Sequence, residues 1–241
     1  MKIYKDKAKK AFKYYAENYD VSNVSIALKI SHTFRVAEIS ERIARTIPNV
    51  NPEFSWLLGL LHDIGRFEQI TRFNTFKDVL SVDHAELGAD ILFQENLIRE
   101  FLDLDTDTNL LKIAEAAIRA HNKLKIPDDF SEETKIYANI LRDADKTDIF
   151  RVLTEPPFDK RELENLTVRD EILQCIHEHR CVPRAAVEAN ALEILAAQCG
   201  MAFEIVYPET KKIVSEQGFL KKLIEQIPII EIRKELLLVR S

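Results

Sequence analysis

Glycine and proline are scarce, 5 and 8 in 241 residues. With so few breakers in a chain rich in Leu, Ile, Ala, Glu and Lys, little interrupts a helix. No stretch shows sustained strand alternation, so the sequence predicts an all-α fold. The three cysteines, Cys175, Cys181 and Cys199, are odd in number and follow no spacing pattern. That argues against a disulfide framework and for a reducing compartment. No apolar run approaches the roughly 20 residues that span a bilayer. The stretch MKIYKDKAKKAFKYY has no apolar signal segment. The expected location is cytoplasmic, with no membrane partner. The formal net charge is -6 and both signs are interspersed. Phosphate-backbone contacts need a concentrated basic surface, so no specific nucleic-acid partner is expected. Internal repeats and low-complexity segments are absent too.

Hydrophobic residues make up 46 % of the chain, enough for a sizeable core. An amphipathic helix is expected over 3–19, with Tyr4, Ala8, Phe12, Tyr15 and Tyr19 on one stripe and its lysines forming a solvated face. Further helices are expected over 23–47 and 52–62, the latter closed by a left-handed cap at Gly65. Residues 66–82 read as a long loop. Asp83 is a good N-cap for the next helix, Glu86 completes a capping box, and Val82 with Leu87 forms a hydrophobic staple. Helices over 108–122 and 131–154 follow, and Pro156-Pro157 ends the second. That proline pair sets the expected boundary between a core, 1–157, and an extension, 158–241, that packs on it. The extension should hold helices over 168–179, 183–205, 209–216 and 229–238, with Arg169, Arg180 and Arg184 as candidate contacts at a substrate wall or dimer interface. A homo-oligomer is left open.

Four of the six histidines fall on apolar faces of four helices. His32 is in line with Val36, Ile39, Ile43 and Ile47; His62 continues the row Phe54-Leu58. His84 shares a face with Leu87, Gly88, Ile91 and Leu92, and His121 follows Leu110, Ala114 and Ala117. Asp145 lies on the stripe Leu141, Ile149, Val152, a costly place for an unpaired carboxylate. One such residue means little, but helices converging on inward imidazoles and carboxylates are how bundles build metal sites. Mixed nitrogen and oxygen donors in this number suit two ions. His32, His62 and Asp145 are assigned to one, His84 and His121 to the other, and Asp63 is the bridge. With no cysteine among the donors, Fe, Mn, Co, Ni or Zn is compatible and Mg less so. His177 and His179 stand two apart on a helix, cannot face one direction, and are read as surface residues.

The order His32, LLHDIGR (60–66), DHAELGADIL (83–92), AIRAHNK (117–123), RDADKTD (142–148) resembles the HD superfamily of metal-dependent phosphohydrolases. The resemblance covers about residues 23–155. It implies an HD-domain helical bundle in which His32, His62, Asp63 and Asp145 hold one metal. His84 and His121 imply a dinuclear centre. Asp143 lies off the ligand face, and Asp148, one turn beyond Asp145, is expected to support it. His121-Asn122 stands where cyclic-dinucleotide phosphodiesterases of the superfamily have two histidines, and Val206-Tyr207-Pro208 is not their GYP loop, which argues against that branch. The six-ligand set also resembles the superfamily's diiron oxygenases.

A phosphate substrate needs cations beside the metal ligands, and Arg35, Arg66, Lys123 and Lys146 stand there. Asp63, Arg66 and Lys146 are the expected catalytic residues; all four cations are expected to bind substrate. The stretch 66–82 adds Arg72 and Lys77 among Phe67, Phe73 and Phe76, either a closing loop or a packed connector. The expected function is hydrolysis of a phosphoester or phosphoanhydride in a small phosphorylated metabolite, with a nucleotide suggested by the resemblance. A mixed-valence diiron oxygenase acting on a small polyol or phosphonate, and a non-catalytic regulatory module, are the alternatives.

Overall fold

The computed structural model describes residues 3–102, 107–155, 158–183 and 190–238. Pro156, Pro157 and Arg184 lie outside them. Among the described residues there is no strand. The chain divides into two compact units, 1–144 and 145–241, and the division falls inside one continuous helix.

In the first unit, α1 (Lys5–Ala16) buries Ala8, Phe12 and Ala16, and α2 (Val24–Ala44) starts at Asn23, whose side chain accepts from the Ser25 and Ile26 amides. Then come α3 (Pro52–Leu61), α4 (Ile64–Phe73), α5 (His84–Ala89) and α6 (Thr108–Ala120), and α7 (Glu132–Val152) crosses the division. Phe12 meets Phe34 and Phe67 edge-on, at 5.3 and 5.8 Å between ring centres, which fixes α1 over α2 and α4. The lysine face of α1 is partly engaged: Lys5 pairs with Glu41, and Lys5 and Lys9 lie over Trp56.

Two close approaches set the frame of the site. A Cβ on Gly59 of α3 would stand 2.7 Å from the Ala37 Cα of α2. A Cβ on Gly65 of α4 would stand 2.3 Å from the His84 carbonyl oxygen and 2.6 Å from the Gly88 nitrogen of α5. Gly65 is therefore no left-handed cap: it lies inside α4 and is needed for backbone contact. The expected loop over 66–82 is largely ordered as α4 and a 3-10 turn, Asp78–Leu80. Its helical half hides from periodicity because Phe67 and Ile70 face the core while Arg72 and Phe73 are exposed at its end.

The second unit has its own core around Phe150, Ile172, Leu192, Leu195, Leu223 and Ile232. It comprises the end of α7 with α8 (Lys160–Glu164), α9 (Asp170–His177), α10 (Ala191–Gly200), α11 (Pro208–Gln217), α12 (Phe219–Ile224) and α13 (Ile230–Leu237). Arg169 and Arg180 are paired here with Glu193 and Glu178. His179 takes φ 51°, closing α9 with the two backbone bonds of a Schellman cap. That turn brings both His177 and His179 to Glu235, at 3.6 and 2.9 Å, although a continued helix would separate them.

Candidate metal centre

The His62-Asp63 pair lies where α3 ends and α4 begins. Successive side chains of an unbroken helix diverge by about 100°. At Asp63 the backbone leaves the helical region (φ -104°, ψ 18°), so both side chains turn inward. His62 caps α3: its Nδ1 donates to the Gly59 carbonyl at 2.7 Å. His121 caps α6 in the same way, through the Ile118 carbonyl at 2.7 Å. His84, the first residue of α5, donates from Nδ1 to the Asp78 carboxylate at 2.9 Å. A carbonyl or carboxylate oxygen can only accept here, so each Nδ1 carries a proton and each Nε2 is the atom turned toward the centre. Burial is the chief reason that the His84 imidazole is held below its ordinary pKa, which keeps it neutral despite Asp78.

Asp63 stands at the centre of these rings. Its Oδ2 lies 3.5 Å from His32 Nε2 and 3.4 Å from His62 Nε2. Its Oδ1 lies 3.5 Å from His84 Nε2 and 3.8 Å from His121 Nε2. The carboxylate is 2 % exposed. Burial pushes its pKa up, but Lys29, His62 and Arg66 outweigh burial and hold it well below the usual carboxylate range. Donor atoms of His62, Asp63 and His121 lie within 4.8 Å of one another. Asp145 lies on α7 at the first residue of the second unit. Imidazole and carboxylate side chains, buried and converging, are the donor chemistry of a divalent transition metal.

Residues 30–149 match the family model of the HD domain. This segment is an HD domain. It belongs to the superfamily of metal-dependent phosphohydrolases, and its all-helical fold agrees. No curated protein and no solved structure matches the chain significantly.

Around the HD-domain donors lies a layer that sequence reading missed. Asp78 receives His84 Nδ1, Arg66 at 3.0 Å and the Gln69 amide at 3.0 Å. Burial raises the Asp78 pKa, but the His84 hydrogen bond and the Arg66 charge hold it far below the usual range. Gln69, fully buried, also bonds Arg66 and the Val82 carbonyl. Asn122 donates to Asp83 at 2.7 Å, and Asp83 caps α5 as expected through the Ala85 and Glu86 amides. The Glu86 carboxylate reaches Arg119 and Lys123.

The expected substrate cations are placed differently from one another. Arg66 reaches the centre, its Nε 3.6 Å from Asp63 Oδ1. Arg35 is half-buried on α2, one turn past His32. Lys123 bonds Asp83 at 2.7 Å and lines an open cleft of about 420 Å³ with Lys112, Arg119, Pro127 and Phe130. Lys146 pairs with Glu204 at 2.9 Å within the second unit. Asp143 and Asp148 are buried on α7. Phe67 is core and Phe73 is partly exposed, while Phe76 stands beside Arg66 and Lys29. The missed cation is Lys29, whose Nζ lies 2.6 Å from Asp63 Oδ2. It precedes His32 by three residues on α2, a same-face spacing that could have revealed it.

Proposed function

We propose that the HD domain hydrolyses a phosphoester or phosphoanhydride of a small phosphorylated metabolite, a nucleotide on the strength of the family resemblance, at two divalent ions bridged by Asp63. One observation carries this: the two Asp63 oxygens face two different pairs of imidazole Nε2 atoms, His32 with His62 and His84 with His121. On this reading Asp145 completes the first site. When bound, the ions supply a nucleophilic water at neutral pH and clamp phosphoryl oxygens.

The chain's own residues do the rest. Asp78 fixes the His84 ring and its tautomer, and the Gly59 and Ile118 carbonyls do the same for His62 and His121. Arg66, held by Gln69 and Asp78, is a preorganised cation beside the centre that offsets charge as the phosphoryl group transfers. Arg35, Lys123 and Lys146 are the further proposed phosphate contacts. For Lys123 and Lys146 a substrate competes with Asp83, Glu86 and Glu204.

The same donors suit an iron pair that cycles between oxidation states, so the test separates the two chemistries. The metal-stripped protein is loaded with Mn²⁺ without oxygen and assayed for phosphate release against a panel of phosphoesters and nucleotides. Release is expected, and Arg66→Ala should reduce it about 10²–10³-fold with metal content unchanged. Activity that needs iron and air, with oxygen consumed in proportion to product, would overturn the hydrolase reading.

A further inference from the structure

We propose that Lys29 is a built-in counter-ion to Asp63 which metal binding displaces, and that the released ammonium then holds the anionic group of the substrate. Lys29 lies one residue before the segment that matches the HD domain. Its Nζ sits 2.6 Å from Asp63 Oδ2, and its side chain is 15 % exposed. That oxygen is the one facing His32 and His62, at 3.5 and 3.4 Å. An ion held by those nitrogens takes a carboxylate oxygen at roughly 2.0–2.2 Å. The ammonium would then stand within a few ångströms of a divalent cation, on the same oxygen, in a dry site that screens little. The pairing and the metal therefore compete for one atom.

Lys29 differs in this from the other cations near the centre. Arg66 also stands 3.6 Å from Asp63 Oδ1, but its hydrogen bonds go to Asp78, Gln69 at 2.6 Å and the Phe76 carbonyl at 2.8 Å. Lys123 is held by Asp83 and Glu86, and Lys146 by Glu204. None of these acceptors belongs to the His32, His62, Asp63, His84, His121, Asp145 set. Lys29 is paired with the bridging carboxylate itself, so loading the ions frees this ammonium in particular. A lysine can follow such a change, because its charge is compact and its four-carbon stem flexible. Phe76, its ring centre 5.4 Å from the Nζ, lies beside it and offers a ring face. The consequence is an order of events, ions first and substrate second. The second half of the proposal rests on the hydrolase reading.

The test uses the full chain, stripped of metal, as wild type, Lys29→Met, Lys29→Gln and Lys29→Arg. Mn²⁺ is titrated calorimetrically. The two neutral variants should bind the first ion about tenfold more tightly than wild type, and Lys29→Arg, which keeps the charge, should not. Two neutral variants guard against one failing to fold, and equal or weaker Mn²⁺ binding in both would overturn the displacement. Inorganic phosphate is then titrated into the Mn²⁺-loaded proteins. The neutral variants should bind it about tenfold more weakly than wild type. Lys125→Met, which removes an exposed charge paired with Asp128, should not change it. Unchanged phosphate binding in the neutral variants would overturn the role in substrate binding. A loaded wild type that takes no phosphate would overturn the hydrolase reading, while the Mn²⁺ titration would still decide the displacement.

Discussion

His84 and His121 point their Nε2 atoms at each other across 3.0 Å. Each ring donates from Nδ1 to a fixed oxygen, and the two Nε2 atoms meet in a buried space. Burial opposes protonating His84. On the proposed reading both nitrogens hold a metal ion, and its removal should destabilise the fold. A metal present at a thousand times its Kd adds about 4 kcal/mol to stability. Calorimetric scans should show a Tm that falls with chelator and is restored by Mn²⁺ or Zn²⁺; a Tm indifferent to both would count against a metal between these rings.

Asp78 holds His84 as that ring would be held beneath a metal. Asp78→Asn keeps the size but removes the charge that fixes the tautomer. Metal affinity should fall about 10–100-fold on the His84 side, with the secondary structure intact by circular dichroism. Unchanged affinity would make Asp78 merely an anchor for Arg66 and Gln69.

Gly65→Ala places a methyl 2.3 Å from the His84 carbonyl and 2.6 Å from the Gly88 nitrogen, both backbone atoms that cannot swing aside. Such overpacking costs about 1–3 kcal/mol, which for a chain of this size lowers Tm by roughly 3–10 °C. A thermal melt reads it, and metal content should fall as α5 is pushed away.

What the sequence made legible follows from periodicity. His32, His62, His84 and His121 stand out because an imidazole in an apolar helical stripe breaks the pattern, and Asp145 for the same reason. Asp78 and Gln69 broke no pattern: one lies on a 3-10 turn, the other in a helix too short and too polar at its end to show its period. Gly65 was misread because a glycine after an apolar run signals equally a helix end or a close backbone contact, and only the position of α5 decides. Helical geometry separates His177 from His179, and the left-handed His179 does not follow it. Beyond its spacing from His32, Lys29 gives no signal in the sequence, because one lysine on a helix is ordinary until Asp63 is placed beside it.

In the second unit, Glu193 is 3 % exposed and accepts from the Arg169 amide and guanidinium, at 3.0 and 2.9 Å. The Arg169 hydrogen bonds outweigh burial and lower the Glu193 pKa. A carboxylate depressed in the fold stabilises above its unfolded pKa, near 4.3, and the gain is lost as pH falls through the folded value. Glu193→Gln should therefore cost about 1–2 kcal/mol at pH 7 and progressively less below about pH 4. Urea unfolding at the two pH values checks this; an equal loss at both would deny the charge a role.

Cys199 is fully buried and burial pushes its thiol pKa far up; Cys175 is buried and Cys181 half-buried. With no disulfide among the three, a chromogenic disulfide reagent at pH 8 should modify Cys181 first in the native protein and all three in denaturant. Rapid modification of Cys199 would contradict its packing.

Metal stoichiometry tests the bridging of two ions by Asp63 most directly. Purified protein, a His84→Ala/His121→Ala double variant and Asp63→Ala are loaded with Mn²⁺, desalted and measured by elemental mass spectrometry. We predict close to two ions per chain for the parent, one for the double variant and almost none for Asp63→Ala, with helical content preserved in each. A double variant that retains as much metal as the parent, or an Asp63→Ala that retains both ions, would contradict the account.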